Sequence, residues 1–479
     1  MRTHKSILTF LLMALLSVTT YAAVPDYVDK AEKEARKYLE HPVPETWYVY
    51  DDSVQTSTDS QGRWWQRFED PVLDSLEELG LRNNYDILQA ARRIEIAQAQ
   101  LNVDRAGYYP NIGLSAGYTK GRTAGAMSGH KVPSTNDSYF SLGANLSWEL
   151  DVFGKIRAQV NAGKKSVEIS RAERAAVEVS LEAQIATAYI QLRVQQAELS
   201  VARQHSESQL KALKIAEARY ATGLASMLDV DQARQVYYTT IASIPRLESN
   251  ITSTINSIAI LVGLPSASVR PTLESIRPLP GYLQLVATGV PMDLLRRRPD
   301  VVEAEEQIGL YASQLGIAKK DWLPTLELQG RVGVDAHRAG DLFKSNSFAY
   351  SIAPTLSWTL FDGFSRKYNI IGARKQMENA IDSYNNTVLT AVNEVDNALS
   401  TYFSTVKYIN ALENVVKASE HYDRLSLDNY KQGLSPYINV ADAQMSYLEN
   451  INSLIVAKGD ALTSLINLYK ALGGGWELE

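Results

Sequence analysis

The sequence predicts a mainly α-helical fold with a transmembrane β-barrel portion, built from one unit used twice: a β-hairpin joined to a long coiled-coil helical hairpin. Three observations carry this. The first is a repeat: "RYATGLASMLDVDQAR" at residues 219–234 returns in altered form as "NYKQGLSPYINVADAQ" at residues 429–444. At the same offset Leu146-Ser147-Trp148 matches Leu356-Ser357-Trp358, and with four more residues of shift Ile94, Gln100, Leu101 and Pro110 match Ile308, Gln314, Leu315 and Pro324. Self-similarity of this kind marks a duplicated unit, here of about 200 residues. The second is a pair of strictly alternating apolar and small polar segments in each copy. The third is a long proline-free stretch with apolar residues seven apart, following each strand pair.

Taken in order, the chain opens with Arg2 and Lys5 ahead of the apolar run Ile7 to Val18, then small residues up to Ala22. That is the pattern of a secretory leader over residues 1–22. Its removal takes away two positive charges and no negative ones, moving the formal charge from -6 to -8. So acidic a chain has no footprint for nucleic acid, and no nucleic-acid partner is expected. The 479 residues are 45% hydrophobic, enough for a large core, yet no internal run has the length of a transmembrane helix. There are no cysteines and six scattered histidines, which excludes disulfides and thiolate metal sites.

In the first copy Phe140, Leu142, Ala144, Leu146, Trp148 and Leu150 alternate with Ser141, Gly143, Asn145, Ser147 and Glu149, giving a strand with one greasy and one polar face. Its partner is expected over 111–118, with Ile112, Leu114, Ala116 and Tyr118 on the apolar side. Residues 119–137 then read as the joining loop. In the second copy Leu326, Leu328, Val332 and Val334 form one strand and Ile352, Leu356, Trp358 and Leu360 the next, with 335–347 as the loop. Segments of about ten residues that end in aromatics suit a tilted strand crossing a bilayer. Pro354 interrupts one of them, where a bulge is expected. Four such strands cannot close a barrel, and open edges are not tolerated in lipid, so an oligomer is expected.

From Gln159 to Thr222 the chain has no proline and one glycine, and Ile185, Leu192, Leu199, Leu213 and Tyr220 fall in a heptad register, with Leu181, Ala188, Ala202 and Ala216 beside them. This predicts a coiled-coil seam on a helix of roughly 90–95 Å. A second helix is expected over 366–432. Gly223 and Gly433 sit where each must reverse, as the left-handed residues that end it. The chain then returns over 228–261 and 438–472.

"WWQRFEDPVLDSL" at 64–76, "NYDILQAARR" at 84–93, "LSWELDVFGKIR" at 146–157, "LLRRRPDVVEAE" at 294–305, "LSWTLFDGFSR" ending at Arg366 and "LYKALGGGW" at 468–476 together resemble the TolC-like outer-membrane efflux proteins, in particular the branch serving RND-type pumps. The resemblance covers nearly the whole chain after the leader. It implies a homotrimer whose twelve strands form one barrel above an α-helical tunnel, in the outer membrane of a Gram-negative bacterium and extending into the periplasm. The implied partners are outer-membrane lipid, a periplasmic adaptor and an inner-membrane pump. The chain is then partitioned into the leader, an N-terminal periplasmic segment at 23–85, a first repeat at 86–270 and a second at 271–479. Many members carry a lipidated cysteine; none exists here, so anchoring is expected to rest on the barrel. The resemblance also implies closure just past the helix reversals, and places Asp442 where an aspartate ring narrows the tunnel. Asn439 stands where some members have a second acid. Asp229, Asp231 and Arg234 occupy the equivalent turn of the first copy, where they could join one hairpin to the next.

No catalytic grouping, cofactor motif or metal-ligand spacing is legible, and no enzyme activity or cofactor is expected. Arg296 to Arg298 could suggest a phosphate site. They precede a helix opened by Pro299 and carrying Asp300, Glu303, Glu305 and Glu306, which is the ordinary dipole pattern. The function these features imply is a passive exit duct. A structural or adhesive periplasmic coiled coil is the rival from another class.

Overall fold

The alternating segments pair as one open antiparallel sheet in the computed structural model: β1 (Asn111–Thr123), β2 (Thr135–Leu150), β3 (Thr325–Ala336) and β4 (Phe348–Ser357), side by side in that order. The structure describes residues 54–55, 62–123, 135–281, 286–287 and 297–474. The expected leader, most of the segment preceding Trp64, Arg296 and Trp476 lie outside these. Ile112, Leu146, Gly330 and Ile352 form one cross-strand row, and Gly113, Asn145, Arg331 and Ser351 form the next. One sheet face is therefore apolar from the row of Leu150 to the row of Tyr118 and Phe140, beyond which Lys120 stands opposite Ser138, and the other face is small or polar. Ile112, Leu114, Tyr350, Ile352 and Leu356 on the apolar face are all exposed.

Three expectations are corrected. The register between β3 and β4 is unbroken from Thr325↔Ser357 to Val334↔Phe348, with Pro354 opposite Leu328, so there is no bulge. On an edge strand a missing N–H costs less, because only one side of the strand is paired within the sheet. Second, β1 and β2 extend into the expected loop 119–137, with Thr119 opposite Tyr139 and Thr123 opposite Thr135. Ladder hydrogen bonds belong to the backbone and continue where side-chain alternation has stopped. Third, β4 ends at Ser357, leaving Trp358 and Leu360 beyond the strand. Trp358 Nε1 donates to Trp322 O at 3.0 Å, as Trp148 Nε1 does to Tyr108 O at 3.0 Å in the first copy. The connection 335–347 contains short 3-10 turns at Ala339–Asp341 and Ser345–Ser347.

Among the described residues the α-helices are α1 (Pro71–Asn83), α2 (Tyr85–Ala106), α3 (Lys155–Ala221), α4 (Met227–Leu261), α5 (Ser266–Leu273), α6 (Pro299–Lys320), α7 (Ser365–Gln432) and α8 (Tyr437–Ala471). The duplication shows in their lengths. α2 and α6 have 22 residues each, α3 and α7 have 67 and 68, and α4 and α8 have 35 each. α3 starts four residues ahead of expectation because Asp151 caps it, its carboxylate accepting from the N–H groups of Ile156 and Arg157, each at 2.9 Å. Asp362 does the same for Arg366 N at 3.1 Å. The aspartates of "ELDVFGKIR" and "LFDGFSR" are thus helix caps.

Two compact units result, each drawing on both copies. The unit of residues 94–170 and 304–384 contains the sheet. Within it α2 lies so close to α3 that a Cβ at Gly163 would sit 2.7 Å from Asp104 Oδ2.

In the other unit, formed from 41–93, 171–303 and 385–479, Leu181, Ile185, Leu192, Leu199, Ala202, Leu213 and Ala216 are buried as the seam requires. Tyr220 is 49% exposed, so the seam stops one heptad short of the tip. Trp64 stacks on Tyr469 at 5.3 Å, and Asp70 caps α1 and accepts a hydrogen bond from the hydroxyl of the buried Tyr189. Arg193 is fully buried, donating to Gln196 Oε1 at 2.6 Å and Ser275 O at 2.7 Å. Arg298 anchors the start of α6 through Ala471 O, Asp300 and Glu394, at 2.9, 2.8 and 2.7 Å. The third arginine of the triplet therefore has a structural occupation.

Two carboxyls in this core are unusual. Glu77 is fully buried, and neither of its carboxylate oxygens has a hydrogen-bond partner among the described residues. Glu182, also buried, accepts from Trp64 Nε1 at 3.1 Å. Burial, with Glu182 nearby, pushes Glu77 well above the usual carboxylate range, and burial raises Glu182 to about 7.

Candidate aperture at the hairpin tips

The two reversals are the same turn. Gly223 has φ +71° and Gly433 φ +79°; Leu224 N donates to Arg219 O at 2.8 Å and Leu434 N to Asn429 O at 2.9 Å. With Gly223 N on Tyr220 O and Gly433 N on Tyr430 O, each is a Schellman cap, for which a glycine in the left-handed region avoids the Cβ penalty. Ser226 caps α4 with its hydroxyl on Asp229 N at 3.4 Å, whereas Pro436 precedes α8 with no side-chain cap.

Below the turns, small residues let the helices close together. Ala212, Ala216, Val230, Ala233, Val440 and Ala441 are buried in one cluster with Tyr430 and Tyr437, whose rings meet edge-on at 5.1 Å. This cluster draws on α3, α4, α7 and α8, so the first hairpin packs on the second here. Arg219 ties them. Its Nη1 donates to Lys431 O at 2.8 Å, and its guanidinium lies 5.0 Å above the Tyr430 ring.

Each predicted residue has a defined place. Asp229 accepts from Tyr430 Oη at 3.5 Å, a long bond from the first hairpin to the second. Arg234 pairs with Glu217 and Asp231 at 3.3 and 3.4 Å, so within the chain its contacts stay inside the first hairpin. All three of those side chains are well solvated, and such pairs contribute little. Asn439 Nδ2 donates to Ser435 Oγ at 2.9 Å, and Asp442 accepts from Tyr422 Oη at 3.4 Å. Ile438, Asn439, Asp442 and Met445 are exposed at helical spacing and line one uncovered face of α8. Arg219 escaped the sequence reading; the available signal was the break in the repeat, arginine in one copy against Asn429 in the other.

Among the described residues no group of three or more His, Asp or Glu could hold a metal ion. Nor is any described helix long and apolar enough to cross a membrane.

A family model described as outer membrane efflux protein matches residues 77–264 and 290–474. The probable efflux pump outer membrane protein TtgC of Pseudomonas putida is 26% identical over 96% of this chain and 95% of its own. The solvent efflux pump outer membrane protein SrpC of Pseudomonas putida is 28% identical over 98% of both. Nodulation protein T of Rhizobium leguminosarum bv. viciae is 30% identical over 86% of this chain and 84% of its own. Among solved structures, the outer-membrane channel OprN superposes with a TM-score of 0.83 at 28% identity, covering 91% of this chain and 98% of its own. The outer membrane protein VceC of Vibrio cholerae does so with 0.77 at 27% identity, covering 87% and 99%.

Proposed function

The chain belongs to the outer membrane efflux protein family, and from that premise we propose that it is the outer-membrane exit duct of a tripartite efflux or secretion system. Substrate handed over by an inner-membrane pump, of RND type on the resemblance, and by its periplasmic adaptor leaves through it without chemistry. One observation carries this reading above the rival coiled coil: a sheet with an uncovered apolar band across all four strands on one face, a polar other face and two free edges. A water-soluble sheet would cover that apolar face. A lipid-spanning one must expose it and must pair both edges, which three copies of four strands do by joining β4 of one to β1 of the next in a twelve-stranded barrel. A heat-modifiable oligomer that conducts ions in planar bilayers fits the duct. A monomeric periplasmic rod without conductance sinks it.

The loop between β3 and β4 then faces the cell exterior. A short epitope inserted at Ser345 is expected to bind antibody on intact cells; binding only after permeabilisation inverts the topology.

The aperture is assigned to the exposed face of α8, with Asp442 as its charged element and Asn439 as a neutral neighbour. Copies of Asp442 brought around a symmetry axis attract cations, because like charges at close range favour a counterion. Asp442→Ala is expected to raise single-channel conductance and weaken cation selectivity, with Asp229→Ala changing both less. Arg219→Ala is expected to raise conductance without altering selectivity, since it frees the first hairpin from the second and leaves the ring charge in place. Unchanged conductance and selectivity in a properly assembled Asp442→Ala channel removes the aperture assignment.

A further inference from the structure

Among the described residues of the four strands, Arg331 is the only lysine or arginine on the polar face of the sheet, where it shares a row with Gly113, Asn145 and Ser351. Four residues along β3 in either direction the same face carries an acid, Glu327 toward the helices and Asp335 toward the connection to β4. At about 3.4 Å per residue each lies roughly 13 Å from Arg331 along the strand, so the guanidinium reaches either one only by lying flat on the sheet. It takes Asp335, with Nη1 on Oδ2 at 2.8 Å and Nη2 on Oδ1 at 2.6 Å, a bidentate fork. Glu327 is already engaged, accepting from Ser147 Oγ at 2.6 Å and from Gln329 Nε2 at 3.3 Å. The row between Arg331 and Asp335 is Ser115, Gly143, Gly333 and Ala349, with the two glycines directly paired. They leave a trench for the arginine stem. A Cβ on Gly143 would stand 3.5 Å from Arg331 Nε, and Gly143 is buried although it belongs to an open face. At the offset that aligns Pro110 with Pro324, the first copy has Gly117 and Gly121 in place of Arg331 and Asp335. Cation and acid are thus both present in one copy and both absent from the other.

We propose that Asp335 sets the charge selectivity of the barrel lumen by holding Arg331 flat and neutralised in this trench. The proposal rests on the reading of the sheet as a barrel wall whose polar face lines the lumen. An arginine keeps its charge at every pH the protein meets, so this row is neutral only while a counter-charge is fixed beside it. With the pair closed, anionic and cationic solutes pass the belt alike, and the arginine stem takes no room in the bore. With Asp335 neutralised, the guanidinium is free to leave the wall. Symmetry repeats it in every copy around the lumen, and a ring of unpaired cations concentrates anions at that level. Arg331 and Asp335 thus act on the polar face of β3 independently of Asp442, which belongs to α8.

The chain has no cysteine, so Ser351→Cys, directly opposite Arg331, gives a single thiol beside the pair. Full-length channels carrying it are assembled in outer membranes and treated from outside with sulfonatoethyl methanethiosulfonate, an anion, or trimethylammonioethyl methanethiosulfonate, a cation. The ratio of the two reaction rates reads the charge at this level of the wall, whatever the state of the hairpin tips. Adding Asp335→Asn raises the anionic-to-cationic ratio roughly tenfold, because it unmasks the guanidinium. Arg331→Gln lowers the ratio, because it leaves Asp335 unpaired, and the two substitutions together return it to the value of Ser351→Cys alone. A purely structural pair would not move the ratio in opposite directions. A ratio unchanged by either single variant, or shifted the same way by both, overturns the assignment and leaves the barrel intact. Where Asp335→Asn fails to assemble, Arg331→Gln decides alone, and an unchanged or raised ratio overturns the assignment. A Ser351→Cys thiol that reacts with neither reagent in assembled oligomers overturns the reading of the polar face as the lumen wall.

Discussion

Leu356→Arg prevents assembly of the channel in the outer membrane, while Thr355→Arg, one residue away, assembles. Leu356 pairs with Leu326 on the apolar face and is 66% exposed, so in a barrel its side chain meets lipid. An arginine facing lipid costs roughly 2–4 kcal/mol at mid-bilayer and about 1 or less near an interface; Leu356 lies one residue from the end of β4, so its cost falls at the lower end, and symmetry repeats it in every subunit. Thr355 lies on the polar face, directly opposite Glu327, which offers an arginine an opposite charge. Leu146→Arg and Asn145→Arg are the matching pair on β2, where Leu146 faces Ile112 and Gly330. Outer-membrane fractions run with and without boiling give the result. Normal oligomer from the leucine variants together with none from the polar-face variants would mean that the two faces are exchanged, because a shift of one residue inverts every side chain of a strand.

Glu182→Gln raises the stability of the folded protein at alkaline pH and flattens its pH dependence. Burial lifts Glu182 from the ordinary glutamate value of 4.5 to about 7, so between these values the folded state holds a proton that the unfolded state has released. Stability is therefore highest below pH 4.5 as far as this group is concerned, falls as pH rises to about 7, and is level beyond. A tenfold difference in proton affinity between the folded and unfolded states corresponds to about 1.4 kcal/mol, which sets an upper bound on the order of 3 kcal/mol at pH 8. Glutamine keeps an acceptor for Trp64 Nε1 and has no proton to lose. Glu77 acts in the same direction, being raised by burial and by Glu182 itself. Thermal unfolding of the detergent-solubilised full chain from pH 5 to 8 reads the slope. Coincident slopes for Glu182→Gln and the unsubstituted protein would show that the carboxyl does not hold the proton.

What the sequence by itself determined is everything that depends on local period and local caps. The two-residue alternation of Phe140 to Leu150 identified a two-faced strand, and the heptads of Ile185 to Leu213 identified the seam. Gly223 and Gly433 located both reversals, because only a residue without a Cβ enters the left-handed region at little cost. Tertiary structure decided the rest. Pro354 leaves the register of β3 with β4 unbroken, a property of strand pairing that no single segment contains. β1 and β2 run past the end of their apolar alternation because backbone pairing does not need it. Arg219 acts through a carbonyl 212 residues away, and Glu77 and Glu182 lie close enough to interact because α1 packs on α3. Side-chain period reports which face is covered. It carries no information about which distant polar groups the chain path brings together, and at the tips and in this core those pairings hold the candidate site and the buried protons.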